Sequence, residues 1–228
     1  IIAVLPEGLE SEGAIELTEL GAKSIQVFRR GVSFECDLAC FYRVNFFARL
    51  PYRFLREIAR FPCNGPDSLY EQIQSSFEWK SWFYPSKSFR VNVSGHSYGL
   101  NHSHFTALQV KNALIDVQSK IWGTRSSVDL DNPDLCFHLH LYENQAVLSL
   151  DSSNRSLHKR GYRSAMGIAP LKENLAAGLI QKSNWNKSLP LVDPLCGSGT
   201  FLIEAAYIAL QFPPGLNRNF LIKNWFDF

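Results

Sequence analysis

The spacing of apolar positions changes several times along the chain, and each change predicts an element. Ile1–Leu5 is a short apolar run, read as a strand. Leu9, Ala14, Leu17 and Leu20 recur at helical spacing, and Gly21 follows as a natural stop. Ser24–Phe28 and Val32–Cys36 flank a turn at Gly31 and predict a β-hairpin. Leu38, Phe41, Tyr42 and Phe46 give a helical stripe over Asp37–Ala48, with Asp37 placed to cap it. Leu50–Phe61 reads two ways. Arg49, Arg53, Arg56 and Arg60 share one face of a helix, yet Phe54–Phe61 also suits a strand leading to Pro62. The order βαββα, with that segment open, suggests a small α/β sandwich.

Pro62-Cys63-Asn64-Gly65-Pro66 is the first convincing boundary. Beyond it Ser68–Phe77 reads as a helix and Phe89–Val93 alternates as a strand. Phe105–Trp122 is the clearest amphipathic helix, through Leu108, Val110, Ala113, Leu114, Val117 and Ile121, and Gly123 ends it. Cys136–Tyr142 and Gln145–Leu150 flank Glu143-Asn144 as a hairpin. A third segment starts near Ser152. There Pro170 opens a helix through Leu171–Ile180, and Leu191-Val192 forms a strand. Phe201–Gln211 is a helix, ended by Pro213-Pro214-Gly215 before an aromatic-rich tail from Phe220 to Phe228.

Composition narrows the class. The 228 residues are 46% hydrophobic, enough for a core, and no apolar run reaches the roughly 18 residues of a membrane span. The first residues lack the pattern of a signal peptide, so a cytoplasmic protein is expected. The five cysteines contain no CxxC pair, as suits free thiols in a reducing compartment. The net charge of +2 does not by itself argue for nucleic acid. Local clustering must carry that case: Arg155, His158, Lys159, Arg160, Arg163 and Lys172 follow one another with no acid between residues 152 and 172, a run whose plain alternative is a solvated basic linker.

The chemistry concentrates in Asp193-Pro194-Leu195-Cys196-Gly197-Ser198-Gly199-Thr200, an apolar strand, a glycine turn and then a helix. Two glycines let the backbone approach a ligand, and a carboxylate sits where α/β ligands bind. No Lys-Ser/Thr pair follows, so this is not a Walker loop, and Leu202 stands where a dinucleotide loop would have its third glycine. Asp193 ahead of the glycines suits an amine-bearing ligand. The plain alternative is a strand-to-helix turn. Cys196, without a neighbouring His, is expected to serve packing and loop geometry. His138 and His140 share a strand face, but no metal site is expected. Phe77, Trp79, Trp82, Phe83 and Tyr84 read as core before they read as base-stacking groups.

Asp193–Thr200 resembles motif I of amino-methylating S-adenosylmethionine-dependent methyltransferases. The wider chain resembles the THUMP-containing RNA methyltransferases that modify guanine N2 in large-subunit ribosomal RNA, sometimes labelled adenine-specific DNA methylases. Leu157–Arg163, Ala169–Ala177, Asp193–Ala206 and the downstream Pro214-Gly215, Arg218, Phe220 and Trp225 carry the likeness. So do Leu5–Glu10, Gly31–Phe34 and the stretch Phe89–Asp151. The resemblance implies a ferredoxin-like leader (1–65) and a THUMP RNA-binding domain (66–154), together α+β. The incomplete start of an α/β Rossmann-like methyltransferase domain follows (155–228).

It also implies S-adenosyl-L-methionine held by Asp193, Pro194, Cys196, Gly197, Ser198, Gly199, Thr200, Glu204, Arg160 and Gly161. RNA would lie against Lys159, Arg160, Arg163 and Lys172. The family's Asn-Pro-Pro-Tyr-type catalytic motif and its ribose-binding acid are missing, so no catalytic residue is assigned. The expected role of these residues is RNA binding without turnover, and Leu191-Val192 and Phe201–Gln211 are expected to show apolar surface. A stand-alone RNA-binding module and a DNA adenine methyltransferase are the alternatives.

Overall fold

The structure, a computed structural model, describes residues 1–163 and 171–227. The chain divides into two compact units, neither continuous in sequence. Ile1–Phe54 joins Arg155–Phe220, and Leu55–Asn154 joins Leu221–Phe228.

In the first unit β1 (Ile2–Val4), α1 (Glu10–Glu19), β2 (Lys23–Phe28), β3 (Gly31–Glu35) and α2 (Leu38–Phe47) follow the predicted order. The strands lie β2-β3-β1, with β3 antiparallel to both neighbours. Asp37 caps α2 as expected, its carboxylate accepting from Cys40 N at 2.7 Å. Ala3, Leu17, Val32, Phe34, Phe41 and Val44 are buried, and Phe54 meets Phe34 and Phe41 edge-on. This unit also holds α6 (Glu173–Lys182) and α7 (Thr200–Ala209). Residues Pro170 and Ala169, on which the predicted opening of the first of these helices rests, lie outside the described residues. The helix begins only at Glu173, because Lys172 is extended (φ −69°, ψ 138°).

The second unit contains most of β4 (Arg53–Pro62), then α3 (Pro66–Ser75), α4 (Trp79–Trp82), β5 (Phe89–Gly95), α5 (Ser103–Trp122), β6 (Leu135–Tyr142) and β7 (Gln145–Asp151). A 3-10 turn at Leu221–Asn224 closes it. The strands run β4-β7-β6-β5. β5 and β6 are parallel, as the crossover through α5 requires, and the other pairs are antiparallel. Strand β6 alternates in its second half, with Leu139 and Leu141 buried and His140 and Tyr142 exposed. Phe83, Phe89, Phe137 and Trp79 pack edge-to-face in the core, and Trp79 donates to Ile73 O at 2.7 Å.

The ambiguous segment is therefore a strand. Its residues 55–62 pair antiparallel with 145–151. The arginines do not form one face. Arg56 pairs with Asp227 at 2.6 Å, and Arg60 pairs with Glu57 at 2.7 Å. Arg49 lies before the strand and is buried.

Candidate functional site

The glycine loop is built by a tight turn onto the N-terminus of α7. Gly199 N donates to Cys196 O at 2.7 Å, and Leu195 N donates to the Asp193 carboxylate at 3.1 Å. Gly197 (φ 52°) and Gly199 (φ 73°) both occupy the left-handed region, where a side chain is strained. Gly199, at the cap position of α7, has no side chain to bond the leading N–H groups, and such a helix start suits an anion. Asp193 is half-buried, Pro194–Ser198 are exposed, and Thr200 is buried.

Two expectations about this stretch change. Leu191-Val192 is not a strand: a strand needs a hydrogen-bonded neighbour, and among the described residues none pairs with it. Cys196 does not pack; it is exposed at the loop tip. Val192, Leu195, Leu202 and Leu210 do present apolar surface, with Leu195 91% exposed.

Behind the loop lies a chain of buried charges. Arg163 Nη2 donates to Thr200 Oγ1 at 2.9 Å and to Leu171 O, and its Nε lies 3.2 Å from Glu173. Thr200 Oγ1 is 3.1 Å from Ser198 Oγ, so Arg163 sits one contact from the loop. Arg160 lies 3.5 Å from Glu204, both side chains essentially inaccessible, and donates to Leu157 O and Arg49 O at 2.5 Å. Tyr162 donates to Glu204 Oε1 at 3.1 Å. Burial pushes the Glu204 carboxyl upward, against the opposing pull of Arg160, and pushes the Tyr162 phenol upward too, helped by Glu204.

Of the sequence-predicted site residues, Arg160 and Glu204 partner one another in the interior. Arg163 is engaged with Glu173 and Thr200. Gly161 remains at the surface, as do Lys159 and Lys172, whose ammonium lies 5.2 Å from the centre of the Tyr52 ring.

One residue that carries the likeness, Arg218, is given no role by the sequence. Arg218 donates to the carbonyls of Arg155, Ser156 and Lys159, the last at 2.7 Å, and so holds the turn that carries the exposed Arg155 and Lys159. Its distance along the chain hid it. Among the described residues no group of three His, Cys, Asp or Glu side chains could hold a metal, and no helix is long and apolar enough to cross a membrane. His140 is engaged with Ser94 Oγ at 2.9 Å. Trp79 and Phe83 belong to the core, while Tyr84 is exposed.

Three family models match in order along the chain. Residues 1–55 match the RlmL ferredoxin-like domain, 65–151 the THUMP domain and 160–225 the RMKL-like methyltransferase domain. The chain thus carries a ferredoxin-like leader, then a THUMP domain, then a segment of a Rossmann-like methyltransferase domain. Among individual proteins it is 46% identical over 99% of its length to the Synechocystis chain named "Putative RNA methyltransferase slr0064", of which it covers 59%. It is 41% identical to the "Ribosomal RNA large subunit methyltransferase K/L" of Ectopseudomonas mendocina, covering 99% of this chain and 32% of that one. A solved structure titled "SMU.472, a putative methyltransferase complexed with SAH" superposes with a TM-score of 0.85 at 32% identity, over 98% of this chain and 59% of the other. The chain thus spans between a third and three fifths of these relatives.

Proposed function

We propose that this chain serves in S-adenosylmethionine-dependent methylation of ribosomal RNA, at guanine N2 of the large subunit, and that its own residues hold the RNA and the methionine end of the cofactor. The observation that carries this reading is the exposed turn of two left-handed glycines on an uncapped helix start, with the carboxylate of Asp193 beside it. Those groups fit a zwitterionic amino-acid end. The helix N-terminus attracts a carboxylate, and Asp193 attracts an ammonium. The cofactor supplies an electrophilic methyl on a sulfonium. The names of the relatives and the SAH-bound neighbour support the class.

The residues on this chain contribute placement. The turn braced by Arg218 presents Arg155 and Lys159, and Lys172 is exposed as well. Phosphate contacts of this kind set the register of an RNA without reading its sequence. THUMP adds a second RNA-holding surface. Positioning supplies most of the rate in a direct methyl displacement, so groups of this kind matter even where they touch no reacting atom.

The test uses the full-length protein. Calorimetry with SAH reads the loop, and labelled methyl transfer to deproteinised large-subunit RNA, followed by nucleoside mass spectrometry, reads the target. The expected product is N2-methylguanosine. Asp193→Asn is expected to weaken SAH by about tenfold with RNA binding unchanged. Label recovered as N6-methyladenine in duplex DNA, with none in RNA, would overturn the assignment.

A further inference from the structure

Helix α7 carries the glycine loop at its N-terminus, and three arginines hold it along its length. Arg163 takes its first residue, through Thr200 Oγ1 at 2.9 Å. Arg160 faces Glu204 near the middle at 3.5 Å. Arg49, from the leader, takes its far end: Nη2 donates to Tyr207 O at 3.0 Å and to Phe212 O at 2.8 Å. The last contact is favourable for two reasons. The carbonyls at a helix C-terminus lack intrahelical partners, and the helix dipole is negative there.

Arg49 is itself rigidly held. Its N–H donates to Glu16 Oε1 at 2.8 Å, and Leu50 N donates to Glu16 Oε2 at 3.1 Å. Its carbonyl accepts from Arg160 Nη2 at 2.5 Å. One leader residue therefore grips the end of α7 with its side chain and aims the middle clamp with its backbone. A ten-residue helix is a stiff rod about 15 Å long, so fixing its far end fixes the direction of the near one.

We propose that Arg49 is a positioning residue for the glycine loop: the ferredoxin-like leader sets the orientation of α7 and through it the affinity for the cofactor's amino-acid end. The part that concerns affinity rests on the reading of the loop given above; the part that concerns the helix does not. The leader is then a built-in brace of the cofactor loop, whatever it also does for RNA.

The experiment compares wild-type full-length protein with Arg49→Met and with Val32→Ala. Val32 is a fully buried leader residue on β3, and its truncation lowers stability while leaving the three arginine contacts to α7 in place. Hydrogen exchange is followed at the amides of residues 197–204, and SAH affinity is measured by calorimetry. Arg49→Met is expected to speed exchange there about tenfold and to weaken SAH by a similar factor, while Val32→Ala, compared at equal global stability, moves neither. Equal exchange in the two variants would overturn the proposal. If the wild type takes up no SAH while the exchange contrast persists, the cofactor reading fails and the brace stands. If Arg49→Met leaves the leader unfolded, Arg49→Lys decides. It keeps the charge but loses the two-carbonyl fork, so faster exchange at 197–204 supports the brace and unchanged exchange refutes it.

Discussion

At the scale of single residues, depth decides what a charge does. Glu204 follows the loop directly, Arg160 belongs to the basic run upstream, and both carry charges a ligand would want, so they read as ligand contacts. They are 5% and 0% exposed. A buried pair of this kind is costly to break, because the partner left behind is an uncompensated charge, on the order of 3–5 kcal/mol. Sequence gives charge and spacing but not depth, and so it could not separate these two from Lys159 and Lys172, which do reach the surface.

His158 shows the same effect in a measurable form. Its Nδ1 lies 2.7 Å from Ser156 Oγ, and its ring packs edge-on to Tyr52. Burial, followed by the nearby Lys172, Lys159, Arg160 and Arg163, lowers its pKa from 6.5 to about 4. The unfolded chain then takes up a proton that the folded one refuses. Stability from this site is complete above pH 6.5 and is lost as the pH falls toward 4. Denaturant unfolding at pH 7 and pH 5 should show a smaller loss for His158→Asn than for the wild type; equal losses would contradict it.

At the scale of elements, legibility follows hydrogen-bond partners. Helices α2 and α5 are visible because a helix closes its own bonds, so its stripe and its caps lie within one window. A strand is completed elsewhere. β4 is ambiguous from its own residues, and only β7, 96 residues on by the pairing of Leu55 with Asp151, makes it a strand. Leu191-Val192 fails for the converse reason, having the composition of a strand and no neighbour among the described residues. The four-residue α4 is too short to show a period at all.

The end of β5 carries an element-scale prediction. Gly95 has φ 76° and lies opposite Leu141 of β6 in the parallel ladder. A Cβ there would sit 1.8 Å from Leu141 O. Backbone cannot yield as a flexible side chain can, so Gly95→Ala combines a strained dihedral with a lost ladder contact. It is expected to lower unfolding free energy by about 2–4 kcal/mol, read by urea titration. A variant within 0.5 kcal/mol of the wild type, on the order of the scatter for surface changes, would refute the clash.

At the scale of the whole molecule, the linear order of domains does not describe the compact units. The family matches run leader, THUMP, methyltransferase, yet the leader shares its unit with residues 155–220. The joining groups are charged: Glu16, Arg49, Arg160 and Glu204, with Lys182 paired to Glu12 at 2.8 Å. A pattern search for apolar stripes passes over such a seam. A chain lacking residues 1–54 should therefore lose protected amides throughout 173–209 while keeping those of β5, β6 and β7. Native-state hydrogen exchange checks this, and full protection of 200–209 in the shortened chain would show that the leader is dispensable.

The seam also sets a timetable for biosynthesis. The Arg49 carbonyl and the Arg160 guanidinium that fills it are 111 residues apart. At a synthesis rate of about 5–20 residues per second, Arg49 is made about 5 to 20 s before that guanidinium exists. During that interval Glu16 and Arg49 face water, and the intervening strands β5, β6 and β7 emerge and pair. The nascent chain thus finishes its middle before its beginning.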